Sequence, residues 1–63
     1  GAPFEARLRE QLSSEPRHVD EISRALGLPI AAVSSALSIM ELKGLVREVG
    51  GMNYIVASER RVA

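Results

Sequence analysis

Residues 19–43, VDEISRALGLPIAAVSSALSIMELK, contain two amphipathic segments separated by the tripeptide Gly-Leu-Pro. In each segment, apolar residues recur three or four positions apart, which is the spacing of one buried face of a helix. The segments therefore predict helices over about 19–26 and 30–43. Their buried stripes are Val19, Ile22 and Leu26 in the first and Val33, Leu37 and Met40 in the second. Gly27 can take the left-handed conformation that ends a helix, so the tripeptide predicts a helix-turn-helix.

A further helix is predicted before this unit, over residues 4–14. Its apolar stripe is Phe4, Leu8 and Leu12, at steps of four residues. We expect Phe4 to anchor the start of this helix in the core. Serines and Pro16 end the helix, because the residue before a proline is pushed out of the helical region.

The sequence pattern changes after Gly44, the expected C-cap of the second amphipathic helix. Residues 45–49 (LVREV) and 52–56 (MNYIV) are strand-like. Gly50-Gly51 between them is a turn pair that can take positive φ without steric cost. The pattern predicts a β-hairpin in which the ring of Tyr54 covers the edge of the core.

The segment just before the helix over 19–26 has two expected roles. His18 stands three residues before Glu21, the spacing of a capping box with an atypical cap residue. Arg17 and His18 can also add a short third strand to the hairpin. Acidic residues in the following turn favour the positive end of the helix dipole.

The order of these elements is that of a winged helix-turn-helix, a mainly α fold with three helices and a small β-hairpin, the wing. Residues 1–3 are expected to be a linker or cloning remnant, and residues 4–57 the folded domain. Residues 58–63 are expected to be a flexible tail. A chain of 63 residues has room for one domain and no more.

Composition excludes several classes of function. Eight basic and eight acidic residues give a net charge of zero, whereas a strong autonomous nucleic-acid binder usually has a basic surplus. Cysteine is absent, which fits a reducing cytoplasm and excludes thiolate chemistry. One histidine, His18, supplies neither a metal cluster nor a catalytic triad. We expect no enzyme, no cofactor, no metal and no membrane segment.

Candidate nucleic-acid contacts lie on the helix over 30–43, on the hairpin and beside them. Serine hydroxyls can donate to phosphates, and arginines can pair with them. This helix carries no Arg, Asn or Gln to discriminate bases, so weak, non-specific contact is expected. The candidates are Ser34, Ser35, Ser38, Arg17, Arg47, Asn53, Arg60 and Arg61.

The same helix presents a second, apolar set of outward residues. Exposed apolar groups at such positions favour protein contact. The alternative is plain packing of Ile39 or Leu42 under the first helix or the wing. The candidate protein-contact residues are Ala31, Ser35, Ile39 and Leu42.

Four segments together resemble the C-terminal winged-helix domain of the DprA/Smf family of bacterial DNA-processing proteins. They are PRHVDEI (16–22), LGLP (26–29), MELKGLV (40–46) and GGMNY (50–54). The resemblance spans about residues 4–56. The helix-turn-helix spacing and Gly-Leu-Val are general to winged helices, whereas the combination of Asp-Glu-Ile, Gly-Leu-Pro and Gly-Gly-x-x-Tyr is more particular to this family.

This resemblance implies an accessory module beside a Rossmann-like domain that binds single-stranded DNA and helps to load RecA in natural transformation and recombination. Implied partners are DNA, RecA, the other domain of the same protein, or a second copy. The family has basic residues after Gly-Gly and after Tyr, whereas this chain has Met52 and Ile55-Val56, which weakens a DNA-binding wing. Two alternatives remain open: an interaction or dimerisation module that does not bind DNA, and the DNA-binding half of a transcription regulator.

Overall fold

The computed structural model describes residues 3–57. The elements in chain order are α1 (Pro3–Glu10), β1 (Arg17–His18), α2 (Val19–Leu26), α3 (Ile30–Leu42), β2 (Val46–Glu48) and β3 (Asn53–Val56). The strands form one antiparallel sheet in the order β1-β3-β2. The predicted winged helix-turn-helix is thus confirmed, including the short third strand at β1.

The α2–turn–α3 unit forms as its sequence predicts. The Nδ1 atom of His18 accepts a hydrogen bond from the backbone N–H of Asp20 at 3.0 Å, so His18 is the N-cap. The bonded amide is that of Asp20 rather than that of Glu21, and the Glu21 carboxylate lies near Arg17, so His18 caps the helix without the capping box that its spacing from Glu21 predicts. Gly27 ends α2 with φ +69°, and its N–H donates to the carbonyl of Ser23.

The core lies where the three helices meet the sheet. All six apolar positions of the α2 and α3 stripes are buried, as predicted. Leu8 of α1, Val46 of β2 and Tyr54 of β3 complete the buried cluster. The Tyr54 side chain is 6% exposed, which confirms that its ring belongs to the core.

Helix α1 is shorter than predicted, because it ends at Glu10 rather than at residue 14. The chain leaves the helix to run beside the sheet, where the carbonyl of Ser13 accepts a bond from the N–H of Val56 at 2.8 Å. The prediction that Phe4 anchors this helix in the core was wrong, since its side chain is 37% exposed. Leu8 is the buried anchor of α1, and Leu12 packs against the core from outside the helix.

The wing differs from the prediction at its tip. Val49 pairs with Asn53, whose carbonyl accepts the Val49 N–H at 2.8 Å, so the loop has three residues rather than two. Met52 lies in that loop with φ +62° and not in the return strand. Two flexible glycines, Gly50 and Gly51, supply the rest of this left-handed turn.

The end of α3 also lies one residue earlier than expected. Lys43 is the C-cap, and Gly44 follows it with φ +80°. The N–H of Leu45 donates to the carbonyl of Met40 at 2.9 Å, which closes the helix end in the manner of a Schellman motif. This turn aims the chain from α3 into β2.

Candidate functional site

Helix α3 separates two surfaces of opposite character. The wing face is formed by Ser38 and Glu41 of α3, Glu48 of β2 and the loop over residues 50–52. The groove face lies between α3 and the start of α1. Its lining residues are Phe4, Glu5, Ala32, Ser35, Ala36, Ile39, Met40 and Lys43.

Two carboxylates fix the wing: Glu41 ties it to α3, and Glu48 bonds within it. One oxygen of Glu41 accepts a bond from the backbone N–H of Glu48 at 3.2 Å. The Glu48 carboxylate in turn accepts from the N–H of Met52 at 3.0 Å. The side-chain amide of Asn53 donates to the carbonyls of Gly50 and Gly51. The polar groups at this face are thus hydrogen-bonded to one another. The two charged side chains that take part in these bonds, Glu41 and Glu48, are both negative.

The Tyr54 hydroxyl responds to these charges. Burial raises the pKa of Tyr54, the charges of Glu48 and Glu41 raise it further, and the nearby Ser38 hydroxyl acts in the opposite direction. Tyr54 therefore stays neutral at physiological pH. Because the side chain is buried, it offers no open ring for a base to stack on.

The predicted basic contacts are only partly available. Arg17 lies 3.8 Å from Glu21 and also donates to the carbonyl of Gln11 at 3.3 Å. Arg47 is exposed on β2, and within residues 3–57 it forms no ion pair. Arg60 and Arg61 lie outside the described residues. Arg47 is therefore the predicted cation best placed to meet a phosphate.

The predicted polar contacts fall on different surfaces. Ser38 belongs to the wing face, Ser34 is half-buried on α3, and Ser35 lines the groove. The Asn53 amide already donates to the wing-loop carbonyls. The eight candidates therefore do not form one surface, and their part in nucleic-acid contact stays a prediction.

The groove face is open and strongly apolar, with a volume of about 380 Å³. Small residues, Ala32, Ser35 and Ala36, form part of its lining, while Phe4 and Ile39 are 37% and 54% exposed. A second hollow of about 230 Å³ continues past Phe4. Several apolar side chains of the groove are thus exposed to water, and a binding partner could bury them.

Two of the predicted protein-contact residues, Ser35 and Ile39, lie in this groove. Ala31 and Leu42 are exposed on α3 outside its lining, and Leu42 is 89% exposed. Sequence reasoning missed Phe4, which helical spacing assigned to the core. Its place one residue after the start of α1 was the available signal, since a helix end is easily left uncovered.

Other classes of site find little support in the described part of the chain. Residues 3–57 contain no group of three His, Asp or Glu side chains that could hold a metal ion. In the same range no single helix is long and apolar enough to cross a membrane. Helices α2 and α3, bent by 115°, meet the length and composition criteria only as a pair.

Three helices, a tight turn between α2 and α3, and a hairpin packed on α3 define a winged-helix module. The family model of the DprA winged helix domain matches residues 2–52. The chain therefore belongs to the DprA winged-helix family, a family of binding-type domains. Comparison with curated proteins found no match, and neither did comparison with solved structures.

Proposed function

We propose that this domain is the accessory module of a DprA/Smf-like DNA-processing protein that acts in natural transformation and DNA recombination in the cytoplasm. It binds rather than catalyses. Its main contact is with protein, through the groove face, and its contact with DNA is weak and non-specific. Candidate protein partners are RecA, the other domain of the same protein and a second copy of this domain.

The observation that carries this proposal is the contrast between the two faces of α3. DNA binding by a small domain depends on cations that displace counterions from phosphates. The wing face instead carries Glu41 and Glu48, with Arg47 as a nearby cation. The apolar hollow between α1 and α3, where Phe4 and Ile39 are exposed, lies on the opposite side of α3 and favours protein contact.

An NMR titration tests the proposal. The labelled domain is mixed with a short single strand and with a short duplex, each at low and at physiological salt. We expect small shifts at Ser38 and Arg47 that fade as salt is added, and none in the groove. Arg47→Ala should weaken these shifts, whereas Arg9→Ala removes the same charge from exposed α1 and should leave them unchanged.

Two outcomes would contradict the DNA part of the proposal. Tight binding to duplex that survives physiological salt would indicate a transcription-regulator type of domain. If no signals shift at either salt concentration, the domain does not bind DNA, and only the protein-contact part of the proposal remains.

A further inference from the structure

We infer that the groove face binds a second copy of this chain in a two-fold symmetric dimer, in which Glu5 of each copy pairs with Lys43 of the other. The inference rests on the proposed function, because it names the protein that occupies the proposed contact surface. It adds a partner, a symmetry and a specific pair of charges.

Charge is the first argument for a second copy. The lining of the groove includes one acidic and one basic residue, Glu5 and Lys43. Within residues 3–57 neither forms an ion pair inside the chain. A two-fold interface brings a surface against itself, so a face that carries both signs can match its own copy. A strongly acidic partner would place like charge against Glu5, and a strongly basic partner would place like charge against Lys43.

Shape is the second argument. The same face offers projecting apolar side chains, Phe4 and Ile39, and small residues where another backbone can approach closely. The small residues Ser35 and Ala36 lie three and four positions after Ala32, on one side of α3. A copy turned by 180° can set its projecting residues against these small ones.

The net charge of the chain also permits self-association. Eight basic and eight acidic residues balance, so two copies meet without net repulsion. A dimer of this kind needs about 800 Å² buried per partner, which is roughly a fifth of the 3888 Å² surface of the chain. The groove would form the centre of that area, and surface around it would have to supply the rest.

Sedimentation equilibrium of the 63-residue chain, over loading concentrations from about 10 μM to about 1 mM, tests the inference. We expect the mass to rise from that of one chain towards that of two. Ile39→Ser should weaken association by about tenfold or more, because a central apolar contact is lost in both copies. Val49→Ser is the control: it removes an exposed apolar side chain of the wing, outside the groove lining, and should leave association unchanged.

A charge exchange tests the pairing itself. Glu5→Lys alone and Lys43→Glu alone each place like charges together and should behave as monomers. An equimolar mixture should form mixed dimers, because each interface then contains two pairs of opposite charge. Circular dichroism checks that every variant is folded, which is expected because Glu5 is only partly buried and Lys43 is exposed.

Two results would overturn the inference. The first is a chain that stays monomeric at the highest concentration. The second is a mixture of the two charge variants that stays monomeric while the wild type dimerises. Both results leave the accessory-module role intact, since that role fails or stands in the DNA titration and in binding to other protein partners.

Discussion

The groove face and the wing face lie on the same helix, yet they differ in how far the chain satisfies its own side chains. On the wing face, Glu41 and Glu48 accept backbone bonds and the Asn53 amide donates to the loop. On the groove face, Phe4 and Ile39 remain exposed to water. The polar groups of the wing face therefore find hydrogen-bond partners within the chain, although Met52 of its loop is 45% exposed, whereas the groove is an apolar hollow that a contact could cover.

This difference shows which surface can supply free energy to an interaction. Removing apolar surface from water contributes about 25 cal/mol per Å², so the groove holds unused stabilisation. Hydrogen bonds that are already formed in the free domain contribute little more when a partner arrives. In winged helices generally, the wing is placed where it can contact DNA. In this chain, the negative charges of the carboxylates at the wing face would repel a phosphate group.

The largest expected effect separates core from groove within α1. Leu8→Ala removes a fully buried side chain and should cost about 2–5 kcal/mol. A domain of this length is stable by roughly 3–9 kcal/mol, so much of that variant will be unfolded. Phe4→Ala removes a larger but partly exposed side chain and should cost about 1 kcal/mol. Urea unfolding at low protein concentration, where the chain is monomeric, measures both.

Each variant is the control for the other, because the two substitutions lie one helix turn apart on α1. Equal losses would mean that Phe4 is a core residue, and the groove would then be part of the core rather than a free surface. A reversed order of the two losses would have the same meaning.

Phe4 shows where sequence patterns fail in this domain. Helical spacing placed Phe4, Leu8 and Leu12 on one stripe, but spacing does not say how far the neighbouring elements extend over that stripe. The interior stripes of α2 and α3 were predicted correctly because elements pack along their whole length. A helix end has no such cover, and α1 begins at Pro3.

Turn chemistry predicted the existence of the hairpin better than its register. Gly50-Gly51 correctly marked the turn, but the bond from the Val49 N–H to the Asn53 carbonyl draws Met52 into the loop. A left-handed methionine is rarely chosen from sequence, since only glycine takes that conformation freely. The bonds that fix it are one that the Glu48 carboxylate accepts from the Met52 N–H and one that the Asn53 amide donates to the Gly50 carbonyl.

The sequence identified individual candidate residues on α3 but not which of them share a surface. Serines are interspersed among apolar residues along α3, so composition alone could not divide them between two faces. The structure separates Ser35, in the groove, from Ser38, beside Tyr54, because the wing packs on one side of α3 only. Long-range contacts determine where α1 ends and on which side of α3 the wing packs. The sequence of α3 by itself does not specify those contacts.

The second expected effect makes the wing face more like a DNA-binding surface. A Glu41→Gln, Glu48→Gln double variant keeps oxygens that can accept the two backbone bonds but removes both charges. Its DNA affinity at low salt should rise by about fivefold, or roughly 1 kcal/mol, because two charges facing phosphate are gone. Fluorescence anisotropy with a labelled oligonucleotide measures the change.

The gain should shrink as salt is added, since exposed charges are screened. Ile39→Ser serves as the comparison, because a groove substitution should leave DNA affinity unchanged. If the double glutamine variant binds DNA no better than the wild type, the carboxylates do not limit DNA contact and the contrast between the faces loses its electrostatic part.

The smallest expected effect is a shift in the titration of Tyr54, which the chain's single tyrosine makes directly visible in ultraviolet absorbance. Burial and the two carboxylates raise its pKa, so the folded chain should titrate above the ordinary value of about 10, and the urea-unfolded chain near it. Because the folded-state pKa is the higher one, this contribution to stability is complete below pH 10. It is lost as the pH rises through the folded-state pKa.

Substitutions on the two faces should act differently on that titration. Glu41→Gln with Glu48→Gln should lower the midpoint, since two charges that oppose ionisation of Tyr54 are removed, whereas Ile39→Ser should leave it unchanged. Tyr54→Phe should abolish the corresponding loss of stability at high pH. A midpoint that moved with the groove variant instead would mean that the two faces are coupled through α3, and that a partner in the groove alters the wing.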